Sequence, residues 1–360
     1  MKIAIILGTR PEIIKMSPII KELEQRHLDY FILHTGQHYS YNLDQVFFDQ
    51  LNLPKPKYNL QVGSGTHAEE TGKMLIGIEK ILLKEKPDII LVEGDTNTVL
   101  AGALAATKLR IPVGHVEAGL RSYDREMPEE INRVLTDHIS DLLFAPTEKA
   151  KQNLLKEGIS NNKIFITGNT IVDAVHQNLK LINDPLAILN KLNIDNDDYF
   201  LVTVHRQENV DNKKRFQGIL EGLKRVHEEY GLPVIYPIHP RAKKRIKEFN
   251  LNPKGITLIE PVDYLSFLQL ESKAKLILTD SGGVQEEACI LKVPCVTLRY
   301  NTERPETIEV GANILAGTNP TKIVEKVKLM LNKKHNWNNP FGDGRAGSRI
   351  VKILMRWENG

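Results

Sequence analysis

An α/β fold made of two parallel-sheet domains is predicted for this 360-residue chain. Three observations predict it. Short β-rich apolar runs recur about every 25 to 30 residues, each followed by a helical pattern. The length accommodates about two domains of roughly 150 residues. Runs such as Ile89-Ile90-Leu91-Val92 and Leu142-Leu143-Phe144-Ala145 are apolar on both faces, which suits strands covered by helices on either side.

Taken in order, the first half gives strands at Lys2–Leu7, Tyr30–His34, Ile89–Glu93, Val113–Glu117, Leu142–Ala145 and Ile164–Thr167, with helices between them such as Asn97–Leu109 and Glu148–Glu157. Lys2–Leu7 reads as a buried strand, since its apolar run is too short for a signal segment. From Asn178 to Asp198 a Pro and several Asn and Asp residues read as a linker or inserted helix-loop. The domain boundary is placed near Ile171–Asp198, giving domains 1–175 and 176–344. The second half repeats the rhythm at Phe200–Val204, Val234–Ile238, Ile256–Ile259, Leu276–Thr279, Cys295–Leu298 and Asn313–Leu315, with helices such as Phe216–Glu229 and Thr321–Leu331. A tail with helical apolar spacing, Arg345–Trp357, follows the loop Phe341-Gly342-Asp343-Gly344.

Lys plus Arg number 48 and Asp plus Glu 45, a net charge of +3. That balance lacks the electrostatic footprint of a nucleic-acid binder. Apolar runs fall far short of the ~20 residues of a membrane span. Cys289 and Cys295 read as buried free thiols rather than a disulfide or a metal site. A cytoplasmic protein with no nucleic-acid or membrane partner is expected.

Parallel-sheet domains place ligand groups where strands end and helices begin, so the polar residues just after each strand are the candidates. Gly8-Thr9-Arg10-Pro11-Glu12 opens a helix, with Arg10 beside an N-terminus that favours anions. Asp95, in Glu93-Gly94-Asp95-Thr96, is either a helix cap or an acid at a site. His115 and Glu117 alternate on an apolar strand, where a buried charge needs a partner such as Arg121 or Arg133. Glu129 and Glu130 open another helix, and Glu129 and Arg133 share a helix face. In the second half, His205-Arg206 and His239 end two strands. Ser281-Gly282-Gly283 lets backbone N–H groups approach a phosphate at a helix start, with Glu287 about one turn on for a ribose. A tight capping turn is the alternative. Gly63-Ser64-Gly65 lacks a preceding strand and a third glycine, so no dinucleotide fingerprint is present, and no Walker A motif occurs. Asp195-Asn196-Asp197-Asp198 reads as a solvated turn and Arg241–Lys247 as a solvated helix face.

In order and spacing this set is similar to the non-hydrolysing UDP-N-acetylglucosamine 2-epimerases, of glycosyltransferase-B architecture, over nearly the whole chain. The resemblance rests on Gly8–Glu12, Gly36-Gln37-His38, Gly94-Asp95-Thr96, His115–Arg121, Pro128–Arg133, His205–Asn209, Asp280–Glu287, Thr302–Glu306 and Asn339–Gly344. It implies two Rossmann-like domains facing a cleft, the helix 345–360 packing back on the first domain, a homodimer, and reversible inversion at C2 between UDP-GlcNAc and UDP-ManNAc without metal or cofactor. Asp95, Glu117, Glu129 and His205 match catalytic positions. Arg10, Lys15, His38, Arg133, Arg206, His239, Phe267, Ser281, Gly282, Gly283, Glu287 and Arg304 match positions that hold UDP and sugar. Bacterial relatives of that family have a second UDP-GlcNAc site next to the first, built from the glutamine-histidine segment and a downstream Arg-Gln pair. Here Gln37 and His38 are present, but the downstream segment reads Ser64-Gly65-Thr66-His67.

The chemistry fits those groups. C2 of the sugar has no adjacent carbonyl, and hydride chemistry would need a nicotinamide motif. Elimination remains: as the C1–O bond breaks, C2–H becomes acidic, a carboxylate removes it, and UDP leaves a 2-acetamidoglucal. Returning the proton to the other face and re-adding UDP inverts the centre. Arg10, His205 and the Ser281–Gly283 helix start would stabilise the departing diphosphate, and acids with tuned pKa values would serve both faces of C2. A hydrolysing epimerase that releases ManNAc, a UDP-sugar-dependent glycosyltransferase and a nucleotide-sugar sensor are the competing expectations.

Overall fold

The computed structural model describes residues 1–36, 41–184, 186–192, 194 and 199–357, with only the backbone of 41–45. The chain divides into two units, 1–177 with 341–360, and 178–340.

The first unit begins β1 (Lys2–Leu7), α1 (Arg10–Gln25), β2 (Asp29–His34), α2 (Tyr41–Gln50), β3 (Tyr58–Asn59) and α3 (His67–Glu85). It continues β4 (Ile89–Glu93), α4 (Asn97–Lys108), β5 (Val113–Val116), α5 (Pro128–Ile139), β6 (Leu142–Ala145), α6 (Glu148–Lys156), β7 (Ile164–Ile166) and α7 (Thr170–Leu179). The sheet order is β3-β2-β1-β4-β5-β6-β7, and every pairing is parallel. Ile6, Leu33, Val92 and Val113 pack with Met74, Ile78 and Val99 on one face of this sheet.

The second unit holds α8 (Ala187–Leu192), β8 (Phe200–Thr203), α9 (Gln207–Val210), α10 (Lys213–Tyr230), β9 (Val234–Pro237), α11 (Pro240–Glu248) and β10 (Thr257–Ile259). It then adds α12 (Tyr264–Lys273), β11 (Leu276–Thr279), α13 (Gly282–Leu291), β12 (Cys295–Thr297), α14 (Pro305–Glu309), β13 (Asn313–Leu315) and α15 (Pro320–Leu331). Its order, β10-β9-β8-β11-β12-β13, is also parallel throughout. Cys289 and Cys295 are buried and unbridged, and burial pushes the Cys289 thiol up to about 12. Among the described residues no helix is long and apolar enough to cross a membrane.

In each sheet the strand order reverses direction once, between β1 and β4 and between β8 and β11. Open parallel sheets bind ligands beyond the strand ends at such switch points. The chain's last helix, α16 (Ala346–Arg356), belongs to the first unit. The Asp173 carboxylate of α7 accepts its Ala346 and Gly347 N–H groups at 3.1 and 3.0 Å.

Two sequence expectations are corrected. The strand expected at Val113–Glu117 ends at Val116, because Glu117 turns into the left-handed region at φ 69°. A short strand, β3, does precede Gly63-Ser64-Gly65, and two residues were too few to signal it. The third glycine is still missing.

Candidate active site

At the first switch point β1 gives way to α1 through Gly8-Thr9. A Cβ on Gly8 would lie 2.1 Å from Thr35 Oγ1 and 2.3 Å from Thr98 Oγ1, so only glycine fits between that hydroxyl pair. Pro11 starts the helix without needing an N–H. Glu12 then folds back: its carboxylate accepts the Gly8 N–H and the Thr96 hydroxyl, each at 2.5 Å. Burial outweighs those bonds and raises its pKa to about 7.

β4 delivers Glu93 and Asp95. Thr96 is the N-cap of α4, accepting Val99 N–H at 3.4 Å, so Asp95 is not the cap. Its carboxylate meets the Arg133 guanidinium at 2.5 Å. Arg133 also binds Glu130 at 2.9 Å. Glu130 accepts from Ser122 N–H, Ser122 Oγ and Tyr123 N–H, each at 2.9 Å. Glu130 is therefore the buried acid of the pair, while Glu129 is exposed in the first turn of α5.

Glu117 pairs with neither Arg121 nor Arg133 among these contacts. Lys15 of α1 donates to Glu117, and Asn169 Nδ2 adds a bond at 3.0 Å. The Lys15 ammonium is also 3.6 Å from Glu93 Oε1. A non-glycine residue in left-handed backbone, holding a buried carboxylate between two donors, is the kind of local strain found at functional sites. Arg121 serves Asp137 and Glu157 instead. His115 faces Asp137 Oδ1 at 2.7 Å and the Gly94 carbonyl at 2.8 Å, which ties the β4 turn to α5.

At the second switch point Asp280 is fully buried after β11. It accepts the His205 N–H at 3.1 Å, the Arg206 N–H at 3.0 Å and Asn209 Nδ2 at 3.1 Å. Burial pushes its pKa up, but His205, Asn209 and the Arg206 amide win and hold it below the usual carboxylate value. The His205 ring, with Nδ1 3.2 Å from Asp280, keeps 43% of its side chain exposed, so the rest of the ring can reach a ligand. Arg206 donates to the Asp280 carbonyl and to Glu303, both at 3.0 Å.

Ser281 caps α13, accepting Val284 N–H at 3.4 Å. A Cβ on Gly283 would meet nothing nearer than Ser281 Oγ at 3.9 Å. The helix start, where amides and the dipole favour an anion, is thus open at Gly283, while a Cβ on Gly282 would lie 2.4 Å from Glu303 Oε1, which also accepts from Arg206. Further along α13, Glu287 accepts the Tyr264 hydroxyl at 2.9 Å. Glu271 lies fully buried nearby, and burial, then the Glu287 charge, pushes it well above the ordinary value. Of the remaining expected residues, His239 caps α11 with its ring 6.0 Å from His205. Arg304 binds Glu286 at 2.6 Å, Phe267 is half-buried against the α12–α13 core, and Arg10 stacks over Phe47 at 5.1 Å. His38, with Gln37 and the Asp195–Asp198 turn, lies outside the described residues.

A protein-family model for UDP-N-acetylglucosamine 2-epimerase matches residues 21–355. This chain belongs to the UDP-N-acetylglucosamine 2-epimerase family. The UDP-N-acetylglucosamine 2-epimerase of Methanocaldococcus jannaschii is 67% identical, over 98% of this chain and 99% of that protein. The crystal structure of the Methanocaldococcus jannaschii enzyme in complex with UDP-GlcNAc and UDP superposes with a TM-score of 0.94 at 65% identity, covering 99% of this chain and 100% of that one. A Pseudomonas aeruginosa relative, UDP-2,3-diacetamido-2,3-dideoxy-D-glucuronate 2-epimerase, is 43% identical over 99% of this chain and 100% of its own length. The fold is α/β with two parallel sheets, of the glycosyltransferase-B class to which these epimerases belong.

Within this member of the epimerase family, sequence reasoning missed Glu12, Glu93, Glu130 and Asn169 in the first unit and Glu271 in the second. Glu93 left a signal as a carboxylate ending an apolar strand, and Glu130 as one of two consecutive first-turn carboxylates. Glu130 is held by partners three to eight residues away, Ser122, Tyr123 and Arg133. Asn169 and Glu271 are instead placed by contacts between segments far apart in the chain, as is the Thr96 bond of Glu12.

Proposed function

We propose that the chain interconverts UDP-GlcNAc and UDP-ManNAc by inversion at C2 and keeps the sugar attached to UDP. The observation that carries this reading is the pair of acids at adjacent strand ends, each beside its own cation: Asp95 on Arg133 and Glu117 on Lys15. Membership of the epimerase family supplies the substrate class.

In this reading acids of the first unit, including Glu129, exchange the C2 proton. As one takes it, the C1–O electron pair leaves with UDP and a 2-acetamidoglucal remains. Protonation from the other face and return of UDP to C1 give the epimer. The Ser281–Gly283 amides, His205, Arg206 and Arg10 bear the diphosphate charge, and Glu287 takes the ribose hydroxyls. Support for the nucleotide half comes from the open helix start beside Gly283.

Proton NMR of UDP-GlcNAc with the purified protein in heavy water tests this. The expected result is UDP-ManNAc with deuterium at C2 in both epimers. Free ManNAc and UDP would make the enzyme hydrolysing. No exchange with UDP-GlcNAc, but exchange with the diacetamido uronate substrate named for the Pseudomonas relative, would move the specificity.

A further inference from the structure

Glu93 enters no step of that reaction, yet it is 2% exposed and lies against the ion pair that does. Its charged surroundings are Lys15 and Glu12 from α1, Glu117 after β5 and Asp95 after its own strand. Asp95 is satisfied by Arg133, and Glu12 by Gly8 and Thr96. Among the described contacts the Lys15 ammonium stands against both buried carboxyls, Glu93 and Glu117. Two carboxylates against one cation would bury a net negative charge, which costs more than holding a proton on one of them.

Geometry decides which acid holds it. Glu117 has the closer contact with Lys15 and an amide donor at 3.0 Å. Glu93 Oε1 stands 3.6 Å from Lys15 and accepts no hydrogen bond among the described residues. The retained proton is therefore placed on Glu93, the acid with the looser contact to Lys15. Burial, chiefly, pushes Glu93 well above the ordinary carboxylate value, with Lys15 opposing.

We propose that Glu93 is a positioning residue whose retained proton leaves Lys15 to Glu117, fixing the charge and aim of Glu117 for proton transfer at the sugar. The inference rests on the reading that Glu117 works on C2. Loss of the Glu93 proton would draw Lys15 back and leave Glu117 more basic and less restrained, so wild-type turnover falls on the alkaline side.

The test compares the full-length protein with Glu93→Gln, which mimics the neutral acid, and Glu93→Ala, which removes it. For Glu93→Gln the expected KM for UDP-GlcNAc stays within about twofold, while the alkaline fall in kcat moves up by roughly one pH unit or more. Glu93→Ala is expected to lose about tenfold or more in kcat with KM held, the signature of an interaction made in the transition state. Superimposable kcat profiles for wild type and Glu93→Gln overturn the proposal, whereas a wild type without C2 exchange overturns the epimerase reading instead. Infrared difference spectra of wild type against Glu93→Gln at neutral pH need no turnover. A carboxylic-acid C=O band present only in the wild type is expected, and its absence overturns the proposal whatever the activity.

Discussion

Asp95 and Glu129 make opposite demands on a mutational test, because one is tied into the fold and the other is not. Asp95 faces Arg133 at 2.5 Å, whereas Glu129 is exposed on α5. Glu129→Gln should therefore leave stability within about 0.5 kcal/mol of wild type, as for any exposed substitution away from a special contact. If Glu129 serves C2, its turnover should still fall by roughly 10²–10⁴, the usual worth of general acid–base catalysis. Asp95→Asn keeps the shape of its contact and should lose turnover by a similar factor. Calorimetry should show UDP binding retained by both variants, since neither residue is among those proposed to hold the nucleotide. Normal turnover in either variant removes that residue from the mechanism. Asp95 shows how far local reading reaches. A carboxylate after an apolar strand was visible, but its choice between cap and site was made by Thr96, which takes the cap.

At the scale of elements, the docking of α16 combines its buried Ile350, Val351 and Leu354, contacts of Ser348 with Glu22 and of Arg349 with the Thr167 carbonyl, and one long-range cap. A helix start leaves N–H groups without intrahelical partners, and here Asp173, on α7, receives two of them. Gly347 lets the helix lie against α1, since a Cβ there would meet the Pro18 backbone at 3.0 Å. Asp173→Ala should cost about 1 kcal/mol, the usual value for a lost N-cap, read as a lower denaturant midpoint with the slope unchanged. Hydrogen exchange should speed in α16 before the sheet opens. An unchanged midpoint would show that the apolar face and the Ser348 and Arg349 contacts hold the helix without the cap. The strands were legible because burial on both faces leaves an uninterrupted apolar run. The two-residue β3 was not, and neither was the turn at Glu117, since backbone handedness has no composition signal. The Asp173 cap spans 173 residues, so no window of sequence contains both partners.

For the molecule as a whole, the buried acids set how stability varies with pH. Asp137 and Asp280 are held below the ordinary carboxylate value, because their hydrogen-bond and electrostatic partners outweigh burial. Their contribution is present above that value and is lost as pH falls through the folded-state pKa. Glu12, Glu93 and Glu271 are raised, chiefly by burial. Their contribution is complete below the ordinary value and is lost as pH rises through the folded-state pKa. For Glu12 that window runs from 4.5 to about 7. The two groups of acids thus place maximum stability on the acid side of neutrality. Glu12→Gln isolates one member, since the amide can accept the Gly8 N–H and donate to Thr96. It should match the wild type at the acid end of the window and exceed it above neutrality by on the order of 3 kcal/mol, the linkage value of such a shift in a fully buried group. Melting temperatures of both proteins from about pH 5 to about pH 8 read this directly. Wild-type stability should decline across that range and the Glu12→Gln decline should be shallower; parallel curves would mean that Glu12 is ionised in its pocket.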